Sequence, residues 1–126
     1  MSEYRMPAEY APHRGTLMIW PVRPGSWGKD PTAAQKAFLR VFEAIAESED
    51  LYILAGPEHL EEARRAVAHI PRATVLCIDS DDAWARDVGP TFVRNAEGGC
   101  KGISWRFNAW GGTVDGLYAD WEKDDA

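Results

Sequence analysis

The sequence predicts an α/β fold with a largely parallel sheet, and three observations carry the prediction. Apolar, strand-like runs at 15–20, 51–55 and 73–78 alternate with two segments of helical periodicity. A proline stands at the opening of each helical segment. Glycine, proline or acidic residues bound the runs. The order strand, helix, strand, helix, strand is that of layered α/β domains.

Residues 15–20 form a short β-branched and aromatic run ending at Pro21, and the proline- and glycine-rich residues 21–29 read as loop. Asp30 and Pro31 supply an N-cap and a first-turn proline. The helix they open carries Ala34, Phe38, Val41, Phe42 and Ile45 at three- and four-residue spacing, to about residue 47. Residues 51–55 are too few for a helix to stand and are bounded by acids and Gly56-Pro57, which favours a buried strand. Pro57 opens the second helix. Glu58, Glu61 and Glu62 suit its positive N-terminal end, Leu60, Ala63, Val67 and Ile70 form its apolar stripe, and Pro71 closes it. After the third strand at 73–78, residues 91–94 and 102–107 flank Asn95-Ala96-Glu97-Gly98-Gly99 as a hairpin. No period is clear from Phe107 onward. Nothing after Tyr118 reads as an element to cover the strand-rich C-terminal half, as expected of one domain, 1–126, that is the N-terminal piece of a longer protein.

A chain of 126 residues with 45% hydrophobic content is long enough for one compact domain. The net charge of -6 leaves no basic face for a phosphate backbone, so nucleic acid is excluded as a partner. The acidic balance suits a cationic substrate and equally suits ordinary solubility. No apolar run approaches the ~20 residues that cross a bilayer, and no basic segment followed by an apolar core opens the chain, so a cytoplasmic protein is expected. Cys77 and Cys100 lie in no Cys-x-x-Cys or Cys/His spacing, which argues against a disulfide framework and a structural zinc site.

The stretch richest in chemistry runs from Asp81 to Phe92, where the third strand ends. A turn holding an aromatic ring, a guanidinium and several carboxylates at the end of an apolar strand is a common ligand position in α/β proteins. Trp84 can stack on a planar cation while Asp87 accepts two parallel N–H bonds from it. The same spacing also fits a surface ion-pair cluster with Trp84 in the core. Arg86 is expected to pair with an acid and support the loop, and Gly89 and Pro90 to shape the turn into the next strand. Cys77, within an apolar strand, reads as an inert small hydrophobe, and Cys100 as an incidental turn residue. His13, His59 and His69 read as surface histidines.

Trp84-Ala-Arg-Asp-Val-Gly-Pro-Thr-Phe closely resembles the Trp-x-Arg-Asp-x-Gly-Pro signature of agmatine deiminases and their bacterial peptidylarginine deiminase relatives. Two further blocks are similar to the same family: the N-terminal entry from Met6 to Pro21, and Trp105-Arg-Phe-Asn-Ala-Trp-Gly-Gly with Asp115-Gly-Leu-Tyr. The resemblance spans almost the whole chain, and the Phe-Asn-Ala-Trp-Gly-Gly block is most similar to the agmatine-specific branch.

The resemblance implies a partial pentein α/β-propeller, about one ββαβ-type blade plus the start of the next. It implies conversion of agmatine to N-carbamoylputrescine and ammonia, a step of putrescine and polyamine biosynthesis, through a cysteine thiolate intermediate and without metal or cofactor. Carried over by position, Asp87 is a catalytic residue that grips the guanidinium and Trp84 lines the pocket beside it. Asn108, Trp110, Gly111 and Gly112 form a pocket wall or a scaffold loop. The family's Gly-rich cysteine segment and His-x-Asp motif have no counterpart here, so the chain alone is expected to be inactive. Two alternatives stay open: a relative acting on peptidyl-arginine or free arginine, and a non-catalytic pentein fragment that self-associates through exposed strand edges.

Overall fold

The computed structural model describes residues 3–125. Its main sheet holds β1 (Gly15–Ile19), β2 (Asp50–Ala55) and β3 (Ala73–Cys77) in the order β1-β2-β3, all parallel. Parallel neighbours need crossovers, and α2 (Thr32–Ala46) and α3 (Leu60–Val67) supply them. Register pairs Ile19 with Leu54 and Leu54 with Leu76.

Strand residues alternate between two faces, and both are covered. Trp20, Leu51, Ile53 and Ala55 pack with Phe42 and Ala46 of α2 and Ala63, Val67 and Ile70 from the α3 region. On the other face Ile19 and Leu54 meet Ala83, with Trp27, Leu76, Ala85 and Val88 around them. Burial of β2 on both sides explains its nearly continuous apolar sequence.

The alternating α/β order and the parallel pairing match the sequence reading, with several local differences. The segment predicted as loop after β1 contains a single helical turn, α1 (Pro24–Trp27). Pro24 at its start and the donor Trp27, bonded to Asp82, hold that turn. α2 begins at Thr32 with Pro31, not Asp30, as its N-cap residue, because the Pro31 carbonyl takes the first helical N–H, that of Gln35, at 2.9 Å. The Asp30 carboxylate accepts the Thr32 N–H at 3.0 Å from one residue further out, and Val41, assigned to the apolar stripe, is exposed. α3 begins at Leu60 and not at Pro57, because residues 57–59 form a turn closed by the His59 N–H on the Gly56 carbonyl.

The hairpin joins β4 (Thr91–Arg94) to β5 (Cys100–Ile103), pairing Arg94 with Cys100. Its second strand starts earlier than predicted because the Asn95 Oδ1 takes the Gly99 N–H at 2.6 Å and closes the turn at once. Cys100 therefore lies in a strand, not in the turn. Cys77, read as an inert small hydrophobe within an apolar strand, instead ends β3 and is exposed. His13, His59 and His69 are surface residues near Glu49, Glu62 and Glu43.

The C-terminal region is more ordered than its lack of period suggested. After the short α5 (Gly112–Asp115), the chain folds back so that Asp124, only 5% exposed, accepts the Asp81 N–H at 2.7 Å and the Asp82 N–H at 3.4 Å. Asp125 takes the Phe107 N–H at 2.6 Å. Among the described residues no helix is long and apolar enough to cross a membrane.

Candidate functional site

Segments leaving the C-terminal ends of β1 and β3 converge on one open cleft of about 590 Å³. Arg23, Gly25 and Ser26 come from the first segment; Asp82, Trp84 and Asp87 come from the second; Trp110, Leu117 and Tyr118 complete the wall. This is the carboxyl-end position where parallel sheets place ligands.

The turn after β3 is organised by Asp82, which is 3% exposed. Its Oδ1 accepts the Ala83 N–H at 2.8 Å and the Trp27 Nε1–H at 3.1 Å. Its Oδ2 accepts the Trp84 Nε1–H at 3.0 Å and the Ser26 hydroxyl. Trp84 then caps the one-turn α4 (Ala85–Val88), which carries Asp87 at the cleft. The N–H groups of Asp87 and Val88 bond to the Trp84 carbonyl at 2.9 and 3.1 Å.

Trp84 is 42% exposed. It lies 5.8 Å from Trp27 at 31° and meets Trp110 edge-on at 6.3 Å. Trp110 also meets Phe107 and Tyr118 edge-on, at 5.1 and 6.1 Å. Its Nε1–H points to Asp87 Oδ1 at 3.4 Å, and Asp87 Oδ2 accepts no hydrogen bond among the described residues. The site therefore offers an exposed indole and a partly free carboxylate side by side, the two groups that suit a planar cation.

The Trp110 turn is strained. Ala109 and Trp110 take positive φ, 53° and 63°, where side chains of L-residues are disfavoured. Gly112 follows at 62°, and its N–H closes on the Asn108 carbonyl at 2.6 Å. A Cβ on Gly111 would fall 2.5 Å from the Asp115 carbonyl carbon, so only glycine fits there. Of the expected wall residues, Trp110 lines the cleft, whereas Asn108, Gly111 and Gly112 form the turn behind it.

At the opposite rim the Arg23 guanidinium lies 4.0 Å over the Tyr118 ring. It donates to the Asp81 carbonyl at 3.1 Å and to Asp120 at 2.6 Å. Burial alone would lower the Arg23 pKa, but the hydrogen bond and charge of Asp120 outweigh it and raise it, and the same contact lowers that of Asp120. Burial, then the Asp124 charge, pushes Tyr118 well above its ordinary value. The Tyr118 hydroxyl donates to Asp124 Oδ2 at 3.2 Å.

The structure thus brings Trp84, Asp87 and Trp110 together. Arg86 pairs with Glu9, as expected, away from the cleft lining. Cys77 and Cys100 are not among the lining residues. Sequence reasoning passed over Arg23, Ser26, Asp82 and Tyr118. The signal for the first two was present, because Arg23-Pro-Gly-Ser-Trp follows a parallel strand just as the Asp81–Phe92 stretch does.

The sequence profile of the family described as Porphyromonas-type peptidyl-arginine deiminase matches residues 5–126. The chain belongs to this family. A relative from Stutzerimonas stutzeri, named agmatine deiminase, is 51% identical over 122 residues, which are 97% of this chain and 33% of that protein. A solved agmatine deiminase of Enterococcus faecalis superposes with a TM-score of 0.92 at 41% identity, covering 97% of this chain and 33% of the other. A C. jejuni agmatine deiminase shares the fold, with a TM-score of 0.83 at 18% identity. The deiminase-family chain described here spans about a third of the length of these relatives.

Proposed function

We propose that this chain forms the guanidinium-holding part of an agmatine deiminase, with Asp87 gripping the guanidinium nitrogens and Trp84 stacking on the guanidinium plane. The observation that carries the reading is the placement of Asp87 and Trp84 on one cleft, with Asp87 Oδ2 unpaired among the described residues. A carboxylate facing a planar cation forms two parallel charge-assisted bonds, and an adjacent ring adds a cation–π contact. The similarity to agmatine deiminases supports agmatine as the substrate.

In this reading a cysteine thiolate from residues beyond this chain attacks the central guanidinium carbon and ammonia departs. Water then displaces the thiolate, leaving N-carbamoylputrescine. Asp87 and Trp84 hold the carbon in place for that attack, which is how positioning lowers the barrier. Strands β1 to β3 with their helices form one blade of an α/β-propeller, the hairpin begins the next, and the whole works in the cytoplasm in putrescine formation.

Ammonia release from agmatine by this chain, and by the chain extended through its downstream reading frame, tests the proposal, with Asp87→Asn made in each. Release confined to the extended form and abolished by the substitution is expected. Release by the short chain would overturn the placement of the nucleophile, and no release by either would overturn the assignment.

A further inference from the structure

We propose that Asp82 is a positioning residue that acts on the guanidinium subsite through the indole of Trp84. This rests on the reading of Trp84 and Asp87 as that subsite.

Although Asp82 lines the cleft, its carboxylate has little left to offer a ligand. A carboxylate has about four lone-pair sites, and those of Asp82 are taken by Ala83 N–H, Trp27 Nε1–H, Trp84 Nε1–H and the Ser26 hydroxyl. None of its bonding partners is a cation, and it belongs to no ion pair among the described residues. Four neutral donors around a carboxylate that is 3% exposed are a means of fixing those donors in space.

Two of the donors are the tryptophans whose rings lie 5.8 Å apart. By fixing both Nε1–H edges to one group, Asp82 sets the tilt at which the Trp84 face meets the cleft. Without that anchor the Trp84 side chain, 42% exposed, has rotamer freedom that a stacked ligand must remove. Trp84 is also the N-cap residue of α4, the helical turn that carries Asp87.

The test uses this chain with Asp82→Asn, Trp84→Phe and the double substitution. Calorimetry measures binding of agmatine, and the Trp84 Nε1–H resonance and its exchange rate are followed without ligand. Asp82→Asn is expected to shift that resonance and speed its exchange. It is expected to weaken agmatine binding about tenfold when Trp84 is present but less than about twofold in the Trp84→Phe background, the non-additivity of a pair acting as one unit.

An unmoved Trp84 resonance, or an equal loss of affinity in both backgrounds, overturns the proposal. If Asp82→Asn fails to fold, Ser26→Ala decides instead. Ser26 shares Oδ2 with Trp84, so its removal must move the Trp84 Nε1–H resonance, and a resonance that stays in place overturns the inference. If the unsubstituted chain binds no agmatine, the guanidinium reading fails, while the resonance still decides whether Asp82 holds Trp84.

Discussion

Trp110 donates its Nε1–H to Asp87 Oδ1 at 3.4 Å from a backbone held at φ 63°. The strained turn thus reaches back 23 residues to steady the carboxylate proposed to hold the substrate. Trp110→Phe keeps an aromatic wall and removes the donor. Loss of one long hydrogen bond is worth about 0.5–1 kcal/mol, so agmatine binding to this chain should weaken about two- to fivefold by calorimetry. Unchanged binding would show that Asp87 is held without Trp110.

Asp124 joins the end of the described chain to the turn that carries the site. Asp124→Ala leaves the N–H groups of Asp81 and Asp82 and the Tyr118 hydroxyl without their acceptor. Unpaired buried donors cost about 1–3 kcal/mol, which lowers the thermal midpoint of a chain this size by roughly 4–10 °C. Tyr118→Phe removes a single donor and should cost about 1 kcal/mol or less. Thermal unfolding of the two variants checks the order.

Acid should affect two aspartates in opposite directions. Burial raises the Asp124 pKa above its ordinary 3.8, so just above that value the folded chain binds a proton that the unfolded chain has released. The contribution of Asp124 therefore falls as pH rises through this window. Asp120 has a lowered pKa from its Arg23 hydrogen bond, so its contribution is present above the unfolded value and fades as pH falls. Against Asp124→Asn, the unsubstituted chain should gain relative stability as pH falls toward 3.8; against Asp120→Asn, it should lose relative stability as pH falls below 3.8. Unfolding midpoints across this range measure both.

Exposed thiols on strands away from the cleft lining imply chemistry that leaves the site untouched. Both Cys77 and Cys100 should react with a thiol reagent in the folded chain, without a denaturant. Cys77→Ser with Cys100→Ser should leave agmatine binding within about twofold of the unsubstituted chain, because serine is close in volume and neither residue lines the cleft. A larger loss would place a thiol in the binding site.

The parallel layer was legible because its determinants are local. Ala63 and Val67 follow a helical period, and the apolar run from Leu51 to Ala55 had to be buried. That Trp84 and Asp87 would share a cleft was legible from their position after a strand and the resemblance of their stretch to the deiminase signature, since spacing alone also fitted a surface ion-pair cluster. Asp82 was not, since its role depends on Trp27 and Ser26, 55 and 56 positions away. Nor was Cys77, because apolar neighbours in sequence do not tell an edge strand from a central one.

The longest of these links also orders events during synthesis. The three-stranded sheet is complete once Cys77 has been made. Arg23 cannot meet Asp120, 97 residues later, until nearly all of this chain has emerged from the ribosome. A nascent chain therefore passes through a stage with a closed hydrophobic layer and an unbraced cleft rim. Bracing of the cleft rim is thus among the last contacts this chain can make.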